Sequence, residues 1–235
     1  MHNRNGIRKT FERELQRLET EILALGDKVG RGLITAVEAL HTRDRQVAVQ
    51  IIVSDRAVNA KRYELEASCL TLIATQQPAG SDLRTIAAVL EIASELERIF
   101  DYAKGISKIN LMLADEPLMK PLIDIPRMAQ KTQGMLHRAL LAFSRRDVVL
   151  AREIPDDDDE IDALYDQVYR ELFTHAIGEP ETLNQFNYLL WVAHNLERAA
   201  DRLTNICERV VFCVTGEFVE LDVDKKMAAL LQEYR

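Results

Sequence analysis

Turn-forming and sheet-favouring residues are scarce in this chain of 235 residues, which has nine glycines, six prolines and only 6% aromatic side chains. Sheet folds need frequent turns and favour aromatic and β-branched residues, so the shortage argues against them and for long helices. Three cysteines, Cys69, Cys207 and Cys213, make an odd count with no C-x-x-C spacing. That argues against a disulfide framework or a zinc knuckle and predicts a reducing, cytoplasmic setting. Uninterrupted apolar runs are a handful of residues, far short of the about 20 that a membrane-spanning helix requires. The charged, amphipathic first residues predict no secretory signal. Positive charge is in deficit, 30 Lys and Arg against 38 Asp and Glu, for a net charge of −8. Nothing here would collectively release phosphate counterions, which excludes generic nucleic-acid binding. What is present, 47% apolar and 29% charged residues, suits a globular chain with a buried core.

Apolar residues at helical spacing predict a first helix from about Thr10 to His41, carried by Leu15, Leu18, Ile22, Leu25, Val29, Leu33, Val37 and Leu40. A second helix is expected from about Asp44 to Ala74. A third runs from an N-cap at Ser81 or Asp82 to about Leu113. Asp115 to Pro126 holds three of the six prolines and reads as a linker. The plan then repeats, with helices from about Arg127 to Ser144, on to about Ala176 with a kink or restart at Pro155, and, after a turn at Gly178-Glu179-Pro180, to about Val214. A short tail helix is expected from Val223 to Glu233. ELERIFD (Glu95 to Asp101) and NLERAAD (Asn195 to Asp201) agree at four of seven positions and stand 100 residues apart. The expected fold is therefore all-α, two tandem antiparallel three-helix bundles with pseudo-twofold symmetry. Residues 1–114 form the first, 115–126 the linker, and 127–235 the second.

The acidic residues repeat as well. Glu97 and Asp101 stand at i, i+4 late in the third helix, and Glu197 and Asp201 match them. In the second helix of each half a carboxylate interrupts an apolar seam: Asp55 within Ile51, Asp55, Val58, Arg62, Leu65, Cys69, Leu72, and Asp158 within Ile154, Asp158, Ile161, Tyr165, Val168, Leu172. One turn on lie Asn59 and Asp162. Like charges at i, i+4 are about 5–6 Å apart at Cβ and repel unless a cation lies between them. Antiparallel second and third helices would bring each set together as oxygen ligands for Mg²⁺, Mn²⁺ or Fe rather than structural Zn²⁺. Salt bridges from Arg98, Arg198 and Arg202 are the alternative account of the same acids. A ferritin-like di-iron site would want Glu-x-x-His pairs; His194 before Glu197 is reversed and occurs once, so redox chemistry has little support.

The doubled three-helix plan, QPAGSDLRTIAAVLEIASELERIFD, NLERAADRLTNICERVVFCVTGE, and Asp-x-x-Val-Asn followed by Asp-x-x-Ile-Asp together resemble the PhoU family. The resemblance covers nearly the whole chain. It implies a cytoplasmic all-α protein, often a homodimer, that binds metal (Fe, Mn, Mg or Zn) at Glu/Asp-x-x-x-Asp motifs. It also implies a negative regulator of the phosphate-starvation response, coupling the phosphate ABC transporter and its ATPase to a sensor histidine kinase and touching the membrane only through these partners. Matched position by position, it places Asp55, Asn59, Glu97 and Asp101 in a first metal site and Asp158, Asp162, Glu197 and Asp201 in a second. The family pattern usually has glycine where this chain has Phe100 and Ala200. Asp82-Leu83-Arg84 matches an Asp-Leu-Arg signature that Thr182-Leu183-Asn184 does not repeat.

Of the remaining residues, Asp82 reads as an N-cap and Arg84 as an exposed arginine. Asp156 and Asp157 read as helix-dipole or solvent acids, and His41, His137 and His175 as caps or surface residues. Trp191, beside Leu189 and Leu190, reads as core. The rival to an adaptor is a carboxylate-bridged, metal-dependent hydrolase or oxidase; no nucleophile and base motif stands beside the acids, so no catalytic residue is assigned.

Overall fold

The structure, a computed structural model, describes residues 2–113 and 117–221. The expected tail helix of Val223 to Glu233 lies outside the described residues. Among those residues every regular element is a helix: α1 (His2–Thr42), α2 (Arg45–Gln76), α3 (Ser81–Met112), α4 (Asp124–Arg145), α5 (Val148–Glu153), a 3₁₀ turn (Ile154–Asp157), α6 (Asp158–Gly178), a second 3₁₀ turn (Pro180–Thr182) and α7 (Leu183–Thr215). The first half packs α1, α2 and α3 together; the second packs α4, α6 and α7, with α5 against α4 and α7.

The repeat extends to the turns. Arg43 and Arg146 both adopt left-handed backbone, with φ of 61° and 56°. Each is followed by an aspartate that caps the next helix: Asp44 accepts from the Val47 N–H and Asp147 from the Leu150 N–H, both at 3.0 Å. A left-handed residue closes the outgoing helix and an aspartate opens the incoming one, which makes a tight antiparallel hairpin. The second arms differ. α2 is continuous, whereas Pro155, with no N–H to donate, turns the matching stretch into α5, a 3₁₀ turn and α6.

Three boundaries depart from expectation, the first being α1, which begins at His2 rather than about Thr10. Gly80, not Ser81 or Asp82, occupies the N-cap of α3 with φ of 60°, and Asp82 instead pairs with Arg8 at 2.6 Å. Helix α4 begins at Asp124 rather than Arg127, because Pro126 is tolerated in a first turn where its missing N–H has no helical partner.

The most extensive helix pair joins the halves: α3 packs antiparallel against α7, and α1 packs against α4. Arg84, at the start of α3, is half-buried rather than exposed, and its Nε donates to the Cys213 carbonyl at the end of α7 at 3.2 Å. A guanidinium there also meets the negative end of the α7 dipole. The buried apolar residues of both halves form one continuous core. Trp191 is not in it; 67% exposed, it stands on the outer side of α7, while its neighbour Leu189 is fully buried. Adjacent residues on a helix face different directions, so lying beside leucines does not bury it.

Phe100, in the position where the family pattern usually has glycine, is 1% exposed and turns toward α1 rather than the acids. A Cβ added at Gly32 of α1 would stand 2.4 Å from Phe100 Cε2. Gly32→Ala gains helix propensity of up to about 1 kcal/mol but forces a rigid buried ring to move, which costs about 1–3 kcal/mol. The expected result in denaturant unfolding is net destabilisation of about 1–2 kcal/mol, reduced when Phe100→Leu is added; equal losses in both backgrounds would refute the close contact.

Candidate functional site

The first acid set assembles between α2 and α3. Asp55 is 6% exposed, the carboxylate that the α2 seam carries inward. Lys104, one turn after Asp101, places its Nζ 2.6 Å from Asp55 Oδ2 and 3.2 Å from Asp101 Oδ1. The hydrogen bond to Asp55 raises the Lys104 pKa above the ordinary lysine value against the opposing effect of burial, and Asp101 adds to it. The ammonium therefore stays charged. Glu97 is half-buried beside them, and its pKa is raised by burial, then by the charges of Asp101 and Asp55, with Arg62 and Arg98 partly offsetting these. Asn59 donates its side-chain amide to the Asp55 carbonyl of its own helix at 3.1 Å.

The second set lies between α6 and α7. Asp158 is half-buried at the head of α6, Asp162 is exposed one turn on, and Glu197 and Asp201 are half-buried on α7. Glu197 has a raised pKa, first from burial and then from Asp201 and Asp162, opposed by His194 and Arg198. Its Oε2 lies 3.1 Å from His194 Nδ1, an ion pair only when the imidazole is protonated. Tyr165, in the place of Arg62, has its hydroxyl pKa raised by burial and by Glu197. Thr204 stands where the first half has Lys104.

The two sets thus differ in how they fit the metal that the resemblance implies. In the first, an ammonium already bridges two of the three carboxylates and the asparagine amide is bonded to its own helix. In the second, burial and the neighbouring Asp201 and Asp162 hold the Glu197 carboxyl above its ordinary pKa, with His194 and Arg198 opposing them. Among the described residues, no three of His, Cys, Asp and Glu are gathered as a ready-made ion site.

The arginines beside the acids face the seam between the halves. Arg98 pairs with Glu95 at 2.9 Å, and Arg202 lies 3.8 Å from the other Glu95 oxygen. Arg198 and Arg202 both donate to the Tyr102 hydroxyl, at 3.2 and 3.4 Å, and Asn205 reaches Glu95 at 3.4 Å. Glu95, 6% exposed, is a polar core of the α3–α7 contact that no spacing rule singled out. Lys104 was detectable, three residues after Asp101 where its partner half has threonine.

Other groups named from the sequence take quieter places. Asp157 pairs with Arg138 on α4 instead of facing only solvent, and Glu160 pairs with Lys131. His41, His137 and His175 are exposed. All three cysteines are free and buried. Burial pushes the thiols of Cys69 and Cys207 up to about 12, which leaves them unreactive at neutral pH.

The fold and its doubled acid sets define a class of all-helical proteins made from two copies of a three-helix unit. The sequence model of the PhoU domain matches residues 22–109 and again 125–210. The chain belongs to the PhoU family. It is 34% identical over 209 residues to the phosphate-specific transport system accessory protein PhoU of Serratia marcescens, covering 89% of this chain and 86% of that one. It is 36% identical over 210 residues to the corresponding homolog of Caulobacter vibrioides, covering 89% and 91%. Among solved structures, the phosphate transport system regulatory protein PhoU from Streptococcus pneumoniae superposes with a TM-score of 0.82 at 33% identity, covering 89% of this chain and 99% of that one. PhoU from Pseudomonas aeruginosa gives 0.83 at 30%, covering 88% and 100%.

A carboxyl that titrates above its unfolded value holds more protons folded than unfolded, so ionising it costs stability as pH rises through its range. Glu197→Gln is therefore expected to raise the melting temperature of chelator-treated protein at pH 7, by about 2–4 °C for each kcal/mol of repulsion removed. The gain should vanish as acid protonates Glu197 in the parent. Thermal melts of both proteins from pH 7 down to pH 4 check it, and an equal difference at every pH contradicts it.

Proposed function

We propose that this chain is a regulatory accessory of a phosphate-specific transport system: a non-enzymatic cytoplasmic adaptor that couples the phosphate ABC transporter ATPase to a membrane sensor histidine kinase and holds the phosphate-starvation response off. The observation that carries the reading is the PhoU domain in both halves, with relatives carrying that name matched over most of their length. An adaptor also needs docking surface. Helix α6 ends and α7 begins with exposed Tyr169, Phe173, Ile177 and Leu183, followed two turns later by Trp191; exposed aromatic clusters of this kind favour protein partners. Metal held by Asp158, Asp162, Glu197 and Asp201 would be structural, relieving their repulsion and tying α6 to α7, with Mg²⁺, Mn²⁺ or Fe the ions suited to such oxygen donors. No observation favours the hydrolase or oxidase: a cleft of about 670 Å³ between α1 and α4 is lined by residues such as Leu23, Gly26, Leu136 and Leu140 and contains neither acid set.

In a host lacking its own PhoU, this chain should return a phosphate-starvation reporter to its low level in phosphate-rich medium, and the transporter ATPase and sensor kinase should co-purify with it. A high reporter despite normal expression, with neither partner retained, defeats the adaptor reading.

We further propose a homodimer formed through α2. Opposite its buried seam, α2 exposes a second heptad-spaced row of Val49, Val53, Arg56, Ala60, Tyr63, Ala67 and Leu70. Both rows step by four and three, the pattern of a helix that packs on two sides. Basic residues Arg45 and Arg56 lie toward its start and Glu64 and Glu66 toward its end, so an antiparallel second copy sets Arg56 beside those glutamates. Val53→Glu with Leu70→Glu should convert a dimer to a monomer in light scattering without changing helix content; a dimer that survives the pair, or a monomeric parent, rules this interface out.

A further inference from the structure

We propose that Lys104 is a built-in counter-ion occupying the place of a metal in the first acid set, so that this half is closed to divalent cations while the second half is not. The inference rests, for the second half only, on the reading of its acids as a cation site.

Three departures from the repeat point the same way. Lys104 replaces Thr204, and its Nζ sits between Asp55 and Asp101 at 2.6 and 3.2 Å, where a shared cation would neutralise both. Asn59 replaces Asp162, so the first set has three carboxylates against four, and its amide is bonded to the helix backbone of Asp55. Arg62 replaces Tyr165, adding a further positive group that acts on Glu97. Each change lowers the demand for an external cation, and together they turn a tetra-acidic arrangement into a self-compensated one. A tethered ammonium competes with a divalent ion for the same oxygens without an entropic cost of capture, and two positive charges in one oxygen cage repel strongly at short range. The carboxylate beneath retains capacity for a ligand: Asp55 is 6% exposed, and its Oδ1 is buried with no hydrogen-bond partner. Removing the lysine therefore uncovers a buried carboxylate facing Asp101, with Glu97 beside it.

Manganese titration of the purified full chain, by calorimetry and by the loss of free-ion Mn²⁺ EPR signal, tests this in the parent and four variants. In a Glu197→Gln, Asp201→Asn background, which silences the second set, Mn²⁺ binding is expected to be absent while Lys104 is present. Adding Lys104→Thr, the residue of the other half, should bring Mn²⁺ binding into the measurable range, a gain of about tenfold or more, and adding Asp55→Asn should abolish it again. Lys104→Arg, which keeps the charge, should remain closed, and its melting temperature should be insensitive to Mn²⁺ while that of Lys104→Thr rises with it. Mn²⁺ bound through Asp55 with Lys104 in place, or no gain in folded Lys104→Thr protein, overturns the proposal. A parent chain that binds no Mn²⁺ at Glu197 and Asp201 removes the cation reading of the second half, and the Lys104→Thr result still decides this one.

Discussion

Everything in this molecule is arranged around the antiparallel packing of α3 on α7. The third helix of each half is apolar over a wide arc: Ile86, Ile92, Phe100 and Ile106 are buried around α3, as are Phe186, Leu189, Val192 and Ile206 around α7. One three-helix unit cannot cover such a helix alone, so the two units bury each other's surplus and share a core. Within that contact Glu95 finds Arg98, Arg202 and Asn205, and Tyr102 finds Arg198 and Arg202. A near-buried carboxylate that meets its partners in one register penalises every slipped register, because sliding the helices leaves it unpaired. The acid sets then fall on the remaining flanks of the same helices, against α2 and α6.

The two halves kept their backbone devices and diverged in their ions. The left-handed Arg43 and Arg146 and the capping Asp44 and Asp147 are the same turn built twice. Electrostatic positions were exchanged instead: Asn59 for Asp162, Arg62 for Tyr165, Lys104 for Thr204, Glu95 for Asn195, Tyr102 for Arg202. Backbone geometry tolerates few substitutes at a hairpin, whereas a charge on a helix flank can be traded for another provided the sum around a buried carboxylate stays compensated. Doubling thus gave one architecture two chemically different flanks, together with an exposed outer row on α2 and an exposed aromatic end of α6 and α7.

Much of this was legible in one dimension. Helix lengths, the doubled plan, the inward-facing Asp55 and the positions of the acid pairs all follow from periodicities of three and four, since a helix maps sequence spacing directly onto a face. What was not legible involves choices between neighbours in different helices. Trp191 read as core from its leucine neighbours yet points outward; Phe100 stands where the family pattern has glycine yet packs on Gly32, away from the acids; Arg98, Arg198 and Arg202, the alternative counter-ions of those acids, make their hydrogen bonds to Glu95 and Tyr102.

By itself, then, the sequence determined that this chain is two copies of three helices with carboxylates at matching places, because local hydrogen bonding and apolar periodicity need no knowledge of distant residues. Only the tertiary structure decided which cation answers Asp55 and Asp101. A lysine three residues beyond Asp101 can stay on its own helix or cross to the next, and the crossing is chosen by the buried Asp55, whose charge must be met wherever the packing of α2 on α3 has placed it.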